Sequence, residues 1–269
     1  MFDCNIHMPC SKDTLDGRLH DEGVMLGGDL MHCFDVHLTD LKNYIESGNF
    51  MLFNTGLDYS DMSSFVSHVC KVFADACFTI LADLNAKQPI EHVHALKKSG
   101  VVAIKFHCYF QRISEDQYPK VLQLATAASM LNMPIFIDTS YGSIDMYRYD
   151  NLKLAAFLLR EIKSVPVVLL HSGGARAMEA FLLADACPNV FLDTSFSVPY
   201  YMDSTIEKDL AFAYKRIGVE RVLFGSDFPY INFEDALTKT RLFFERNGFS
   251  DSEIEIVFSN TPQKVFGRL

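Results

Sequence analysis

A chain of 269 residues with 49% apolar and 22% charged side chains has the size and make-up of a globular protein with a large core. Its formal net charge of -10, without any run of Lys or Arg, argues against a nucleic-acid partner, and no apolar stretch approaches a membrane span. Seven cysteines, odd in number and without a C-x-x-C pair, together with a start that lacks a signal-peptide pattern, read as reduced thiols of a cytoplasmic protein.

The first apolar run is "FDCNIH", residues 2–7, where strict alternation would put Asp3, Asn5 and His7 on one face of an extended strand. Next come "FMLFNTG" from Phe50 and "CFTILADL" from Cys77. Ile90, Val93 and Leu96 then recur at helical spacing, and Lys97, Lys98 and Gly100 mark that helix's end. "VVAIKFH" follows from Val101, "PIFIDTS" from Pro134, "PVVLLH" from Pro166, "NVFLDTS" from Asn189 and "RVLFGSD" from Arg221. A last helix opens with "SDSE", where Ser250 and Glu253 stand as a capping box. Eight strand–helix alternations in a chain of this length predict an α/β fold, a (β/α)8 TIM barrel over residues 1–269 as a single domain. The stretch from about residue 8 to 47 is too long for an ordinary connection and reads as a long loop or lid over the barrel mouth.

Such barrels place their chemistry at the C-terminal ends of the strands, so the last residues of each run matter most. Those ends carry Asn5, His7, Asp83, Lys105, His107, Asp138, His171 and Asp227. Each alone could cap backbone groups or face solvent; together they predict one polar pocket. Asp138 reads either as a ligand or as a salt-bridge partner of Lys105. The glycines of "HSGG" after His171 suggest close backbone approach to a ligand. Arg112, Arg148 and Arg176 follow strands 4, 5 and 6, where a guanidinium could grip a substrate carboxylate; Arg112 and Arg176, with His107, are the substrate-binding candidates. His92 and His94, two apart on a helix, read as surface residues, and His20, His32 and His37 fall in the long first connection. Nucleophile-elbow, phosphate-loop and dinucleotide fingerprints are absent.

"FDCNIH", "GVVAIKFHCYFQ", "PIFIDTS", "VVLLHSGG", "VFLDTS", "VLFGSDFP" and the terminal "NTPQKVFG" resemble, in order, the amidohydrolase superfamily in its amidohydrolase-related branch; only about residues 9–49 lack the likeness. The resemblance implies a metal-assisted hydrolase or a nonoxidative decarboxylase of a small molecule. It further implies a divalent ion on a His-x-His pair of strand 1, a His of strand 5 and an Asp of strand 8, with the strand 6 His beside the reacting group. Carried onto this sequence, those positions are Asn5, His7, Asp138, Asp227 and His171, so two of the expected histidines are replaced. The expectation is one divalent ion, Zn or Mn, on His7, Asp138, Asp227 and Asn5, with the oxygen donors favouring Mn. It would activate water against an ester, lactone or amide, with Asp227 as base, His171 polarising the carbonyl and Lys105 orienting substrate. The rivals are decarboxylation, a metal-free lactonase in which His171 and Lys105 stabilise the oxyanion, and a barrel that binds without catalysis. A homo-oligomer stays open.

Overall fold

A computed structural model describes residues 1–8, 30–52 and 59–267. Its strands are β1 (Phe2–His7), β2 (Ser47–Leu52), β3 (Cys77–Leu81), β4 (Ala103–Phe106), β5 (Ile135–Asp138), β6 (Val167–Leu170), β7 (Val190–Asp193) and β8 (Val222–Leu223). Each pairs in parallel with the next in chain order. Backbone bonds between the last and first strands join the ring: Cys4 N donates to Phe224 O (2.9 Å), His7 N to Phe228 O (2.8 Å) and Asp227 N to Asn5 O (3.0 Å). The eight expected strands are all present and the architecture is a (β/α)8 barrel.

Strand side chains sort by the two-residue period. Ile104, Ile135, Ile137, Val167, Leu169, Val190, Leu192 and Val222 join the layer packed against the helices. Ala103, Phe136, Val168, Leu170, Phe191 and Leu223 point inward and fill the lower barrel with Phe2 and Cys4. Phe266, from the helix Thr261–Phe266, packs on Phe2 and Phe136 at ring separations of 5.6 and 5.8 Å. The lower barrel is thus mostly apolar, with Asn49 and Thr79 bonded to each other inside it, and the polar strand ends gather above.

The helix Pro89–Lys98 ends as its lysines and Gly100 (φ 97°) require, and Ser250 and Glu253 form both halves of the capping box. The lid expectation rests mainly on residues 9–29, which lie outside the described residues, as does His20; Leu30–His37, which includes His32 and His37, is a helix. Cys4, Cys108 and Cys187 are free thiols. Among the described residues no helix is long and apolar enough to cross a membrane.

The first strand departs from simple alternation. Asp3 pairs with Gly48 but Ile6 pairs with Phe50, so β1 carries one residue more than β2 between these points, a β-bulge. Phe2 and Cys4 face the inner cluster, Ile6 the outer one, and Asn5 joins His7 on the inside. Asp3 does not share their face: its Oδ1 accepts from the backbone N–H groups of Asn5 and Ser226, both at 3.0 Å, and so secures the bulge to the chain after β8.

Candidate active site

Three consecutive strands deliver donors to one carboxylate. Asp138 ends β5, and its Oδ2 lies 3.0 Å from Lys105 Nζ, 3.2 Å from His171 Nε2 and 3.5 Å from His107 Nε2. Its Oδ1 accepts from Ser140 N (3.0 Å) and Ser140 Oγ (2.6 Å). Of the two sequence readings of Asp138, the ion pair with Lys105 is the one present, and Lys105 is only 1% exposed. Burial alone would raise the Asp138 carboxyl, but the Lys105 ammonium and the His171 imidazolium outweigh it and hold the group well below the carboxylate range.

His171, at the end of β6, is fixed on both ring nitrogens. Nδ1 faces the Ser195 carbonyl (3.2 Å), which can only accept. It also faces Ser195 Oγ (3.0 Å), whose proton goes to Asp193 Oδ1 (2.9 Å). Nδ1 therefore carries a hydrogen, and Nε2 on the ionised Asp138 carries the second, which makes the ring an imidazolium. Burial opposes that charge, yet Asp138, Asp227 and Asp193 prevail and bring His171 to about 9. His107 has the opposite balance: burial outweighs Asp138 and pushes it down to about 3, so it is neutral.

Across the mouth, Asp227 Oδ1 accepts from Asn5 Nδ2 (3.1 Å) and lies 3.1 Å from His7 Nε2. Burial would raise this carboxyl, but His171, His7 and Lys105 keep it below its ordinary value. Burial lowers His7. Both His171 (φ 64°) and Asp227 (φ 63°) have left-handed backbones, which cost a non-glycine residue roughly 1 kcal/mol or more. His171 N on Asp193 Oδ1 (2.5 Å) and Asp227 N on Asn5 O (3.0 Å) hold them there.

Two residues of "VFLDTS" join the site without having been singled out from sequence. Asp193 supports the His171 backbone and the Ser195 hydroxyl, and Ser195 Oγ accepts from Asn5 Nδ2 (2.8 Å), which links the two halves of the pocket. The available signal was the strand 7 position itself, since Asp193 is the last residue of β7. Of the "HSGG" glycines, Gly173 meets a packing demand. A Cβ on Gly173, where φ is 84°, would meet Ala180 Cβ at 2.7 Å, so the glycine admits the helix Ala177–Ala186.

The structure brings Asn5, His7, Lys105, His107, Asp138, His171 and Asp227 into this network but engages the rim candidates elsewhere. Arg176 binds Glu179, Asp150 and the Tyr141 hydroxyl. Arg112 is exposed in a left-handed cap after Cys108–Gln111. Asp83 accepts from Asn85 N in a turn (2.8 Å), Arg148 lies over the Tyr149 ring, and His94 is exposed. Aromatic edges border the histidines: Tyr230 on His7 (5.0 Å), Tyr109 on His107 (4.3 Å) and Phe196 on His171 (6.0 Å). Phe196 and Tyr230 also line an outer groove of about 400 Å³ with Pro199 and Tyr200.

The family model described as Amidohydrolase matches residues 64–268. No curated protein matches the sequence. Among solved structures, a probable 2-pyrone-4,6-dicarboxylic acid hydrolase from Acinetobacter baumannii with bound citric acid is 15% identical, with a TM-score of 0.70 over 99% of this chain and 98% of that one. An amidohydrolase from Burkholderia multivorans with bound HEPES is 14% identical, with a TM-score of 0.70 over 100% and 99%. A dihydroxybenzoic acid decarboxylase from Polaromonas, with bound manganese and 2-nitroresorcinol, is 14% identical, with a TM-score of 0.60 over 99% and 96%. At such identities the likeness establishes the fold.

Proposed function

This chain belongs to the amidohydrolase family, and on that premise we propose that it hydrolyses an ester or lactone of a small molecule, with Asp227 as general base and His171 as general acid. The observation that carries the reading is the opposed setting of these two buried groups in one pocket, a carboxylate held ionised beside an imidazole held protonated. Titratable neighbours pushed apart in this way are suited to acid and base roles at one pH.

The divalent ion that the resemblance implies has to be tested against the donors present. His7 Nε2 and Asp227 Oδ1, 3.1 Å apart, are spaced as two ligands of one ion would be, and Asn5 Oδ1 is a buried acceptor without a hydrogen-bond partner. Asp138 is not available to them, because Ser140 takes Oδ1 while Lys105, His171 and His107 surround Oδ2. Among the described residues no group of three or more His, Cys, Asp and Glu side chains could hold a metal ion. One imidazole, one carboxylate and one amide oxygen do not fit the four-ligand site, so no step is routed through a metal.

In the proposed reaction a water attacks the carbonyl carbon while Asp227 takes its proton. Lys105 and His171 offset the charge that develops on the carbonyl oxygen. As the bond to the leaving oxygen breaks, His171 Nε2 gives that oxygen its proton, and proton transfer from Asp227 restores the starting state. The solved structures similar to this chain include a probable 2-pyrone-4,6-dicarboxylic acid hydrolase and decarboxylases, so the test has to separate the two chemistries. A panel of lactones, aryl esters and aryl carboxylic acids is assayed for acid release and for carbon dioxide. Acid release from a lactone or ester, lowered about a hundredfold or more in Asp227→Asn, supports the reading; carbon dioxide as the product, or equal rates in the variant, overturns it.

A further inference from the structure

We infer that Lys105 is the pocket's own cation, which stands where a divalent ion would bind and keeps such an ion out. Three observations meet here. The ammonium is buried at 1% exposure and sits 3.0 Å from Asp138 Oδ2, the donor that the half-site of His7, Asp227 and Asn5 lacks. His171 approaches the same oxygen at 3.2 Å, so two cations already face this carboxylate. Lys105 also acts through its charge on His7 and Asp227 at the other side of the mouth.

Charge counting gives the consequence. Asp138 and Asp227 supply two negative charges and Lys105 and His171 two positive ones, so these four side chains are balanced without an ion. A doubly charged ion would have to enter beside an ammonium that cannot withdraw without taking from a buried carboxylate one of its two cations. If Lys105 loses its charge, one of the two cations on Asp138 Oδ2 is gone, and that oxygen can turn to an ion held by the half-site. The family's usual ion would thus be withheld by one side chain, not by the loss of every ligand. The inference rests on the same pocket as the hydrolase reading, but concerns binding and not turnover.

The test measures Mn²⁺ binding, by metal content after dialysis and by the electron paramagnetic resonance of free Mn²⁺, in wild type, Lys105→Met, Lys105→Gln and the double variant Lys105→Met, Asp138→Asn. One neighbouring unit charge commonly moves a protonation equilibrium by about one to three pKa units. A tenfold or greater gain in Mn²⁺ affinity is therefore expected in either single variant, and its loss in the double variant. A single variant that folds only with Mn²⁺ present also supports the inference. Pocket binding of one Mn²⁺ by wild type, abolished by Asp227→Asn, overturns it, as does a folded single variant with no gain. If neither single variant folds, wild type decides: no Asp227-dependent binding at millimolar Mn²⁺ supports the inference, and binding refutes it. Since no arm reads turnover, failure here leaves the hydrolase reading standing, and failure of the lactone panel leaves this one.

Discussion

Replacing Asp138 by Asn removes one negative charge and almost no volume, and it strands the Lys105 ammonium. The side chains of Lys105 and Asp138 are only 1% and 3% exposed, so water cannot compensate the orphaned cation. Breaking a pair of this kind from one side typically costs about 3–5 kcal/mol. With a urea dependence of roughly 1–3 kcal/mol per molar, the unfolding midpoint should fall by about 1 M or more. The chain has no Trp, so far-UV circular dichroism is the suitable probe. Removing both charges in Asp138→Asn, Lys105→Met should recover part of the loss, because the ammonium is no longer stranded and only His171 has lost its partner on Asp138. The pH dependence has a definite sign. Asp138 is depressed in the folded chain, so its contribution is present above the ordinary carboxylate pKa and lost as pH falls through the folded value. The difference between wild type and Asp138→Asn should therefore shrink in acid. A single-variant loss below about 1 kcal/mol, the scale of an exposed pair, or a double variant worse than the single one, would refute the reasoning.

Gly225→Ala should disturb the site without replacing a titratable group: the new Cβ would stand 2.5 Å from Asp193 Oδ2, 3.0 Å from Asn5 Cβ and 3.1 Å from Ser195 Cβ. Overpacking of that kind costs about 1–3 kcal/mol, readable as a lowered melting temperature, and turnover should drop because Asp193 also holds the His171 backbone. The rate profile of a verified substrate should have an acid limb below the ordinary carboxylate range, where Asp227 protonates, and an alkaline limb near 9, where His171 loses its proton. A single limb rising through neutral pH would show that His171 acts as a base instead.

The barrel was legible because its strands are short apolar runs at regular spacing, buried on both faces and each followed by a helix. The start of β2 was not: the strand begins at Ser47, three residues before the apolar run from Phe50, because Gly48 and Asn49 break the pattern. Asn49 faces inward and bonds Cys4 O (3.0 Å) and Thr79 Oγ1 (2.8 Å), a tertiary demand that no local propensity reports. The bulge in β1 was also invisible, since alternation in "FDCNIH" reads as unbroken and only the pairing with β2 shows the extra residue. Strand-end logic found His7, Asp138, His171 and Asp227 but could not say which donors share an oxygen. That depends on which side chains point across the mouth, and the Asp138 hub emerges only in three dimensions. The sequence also did not show that Glu179, three residues on, and Asp150 engage the Arg176 fork at the rim.

The protonation state of His171 tests the proposed acid–base pair most directly. In protein labelled with ¹⁵N at histidine, with the resonance assigned by its loss in a folded His171→Gln variant, the ring should show both nitrogens protonated at neutral pH. It should titrate near 9, because Asp138 outweighs the cost of burial. A His171 ring that is neutral at pH 7, with one bare nitrogen, would contradict the account, since no acid would then stand opposite Asp227.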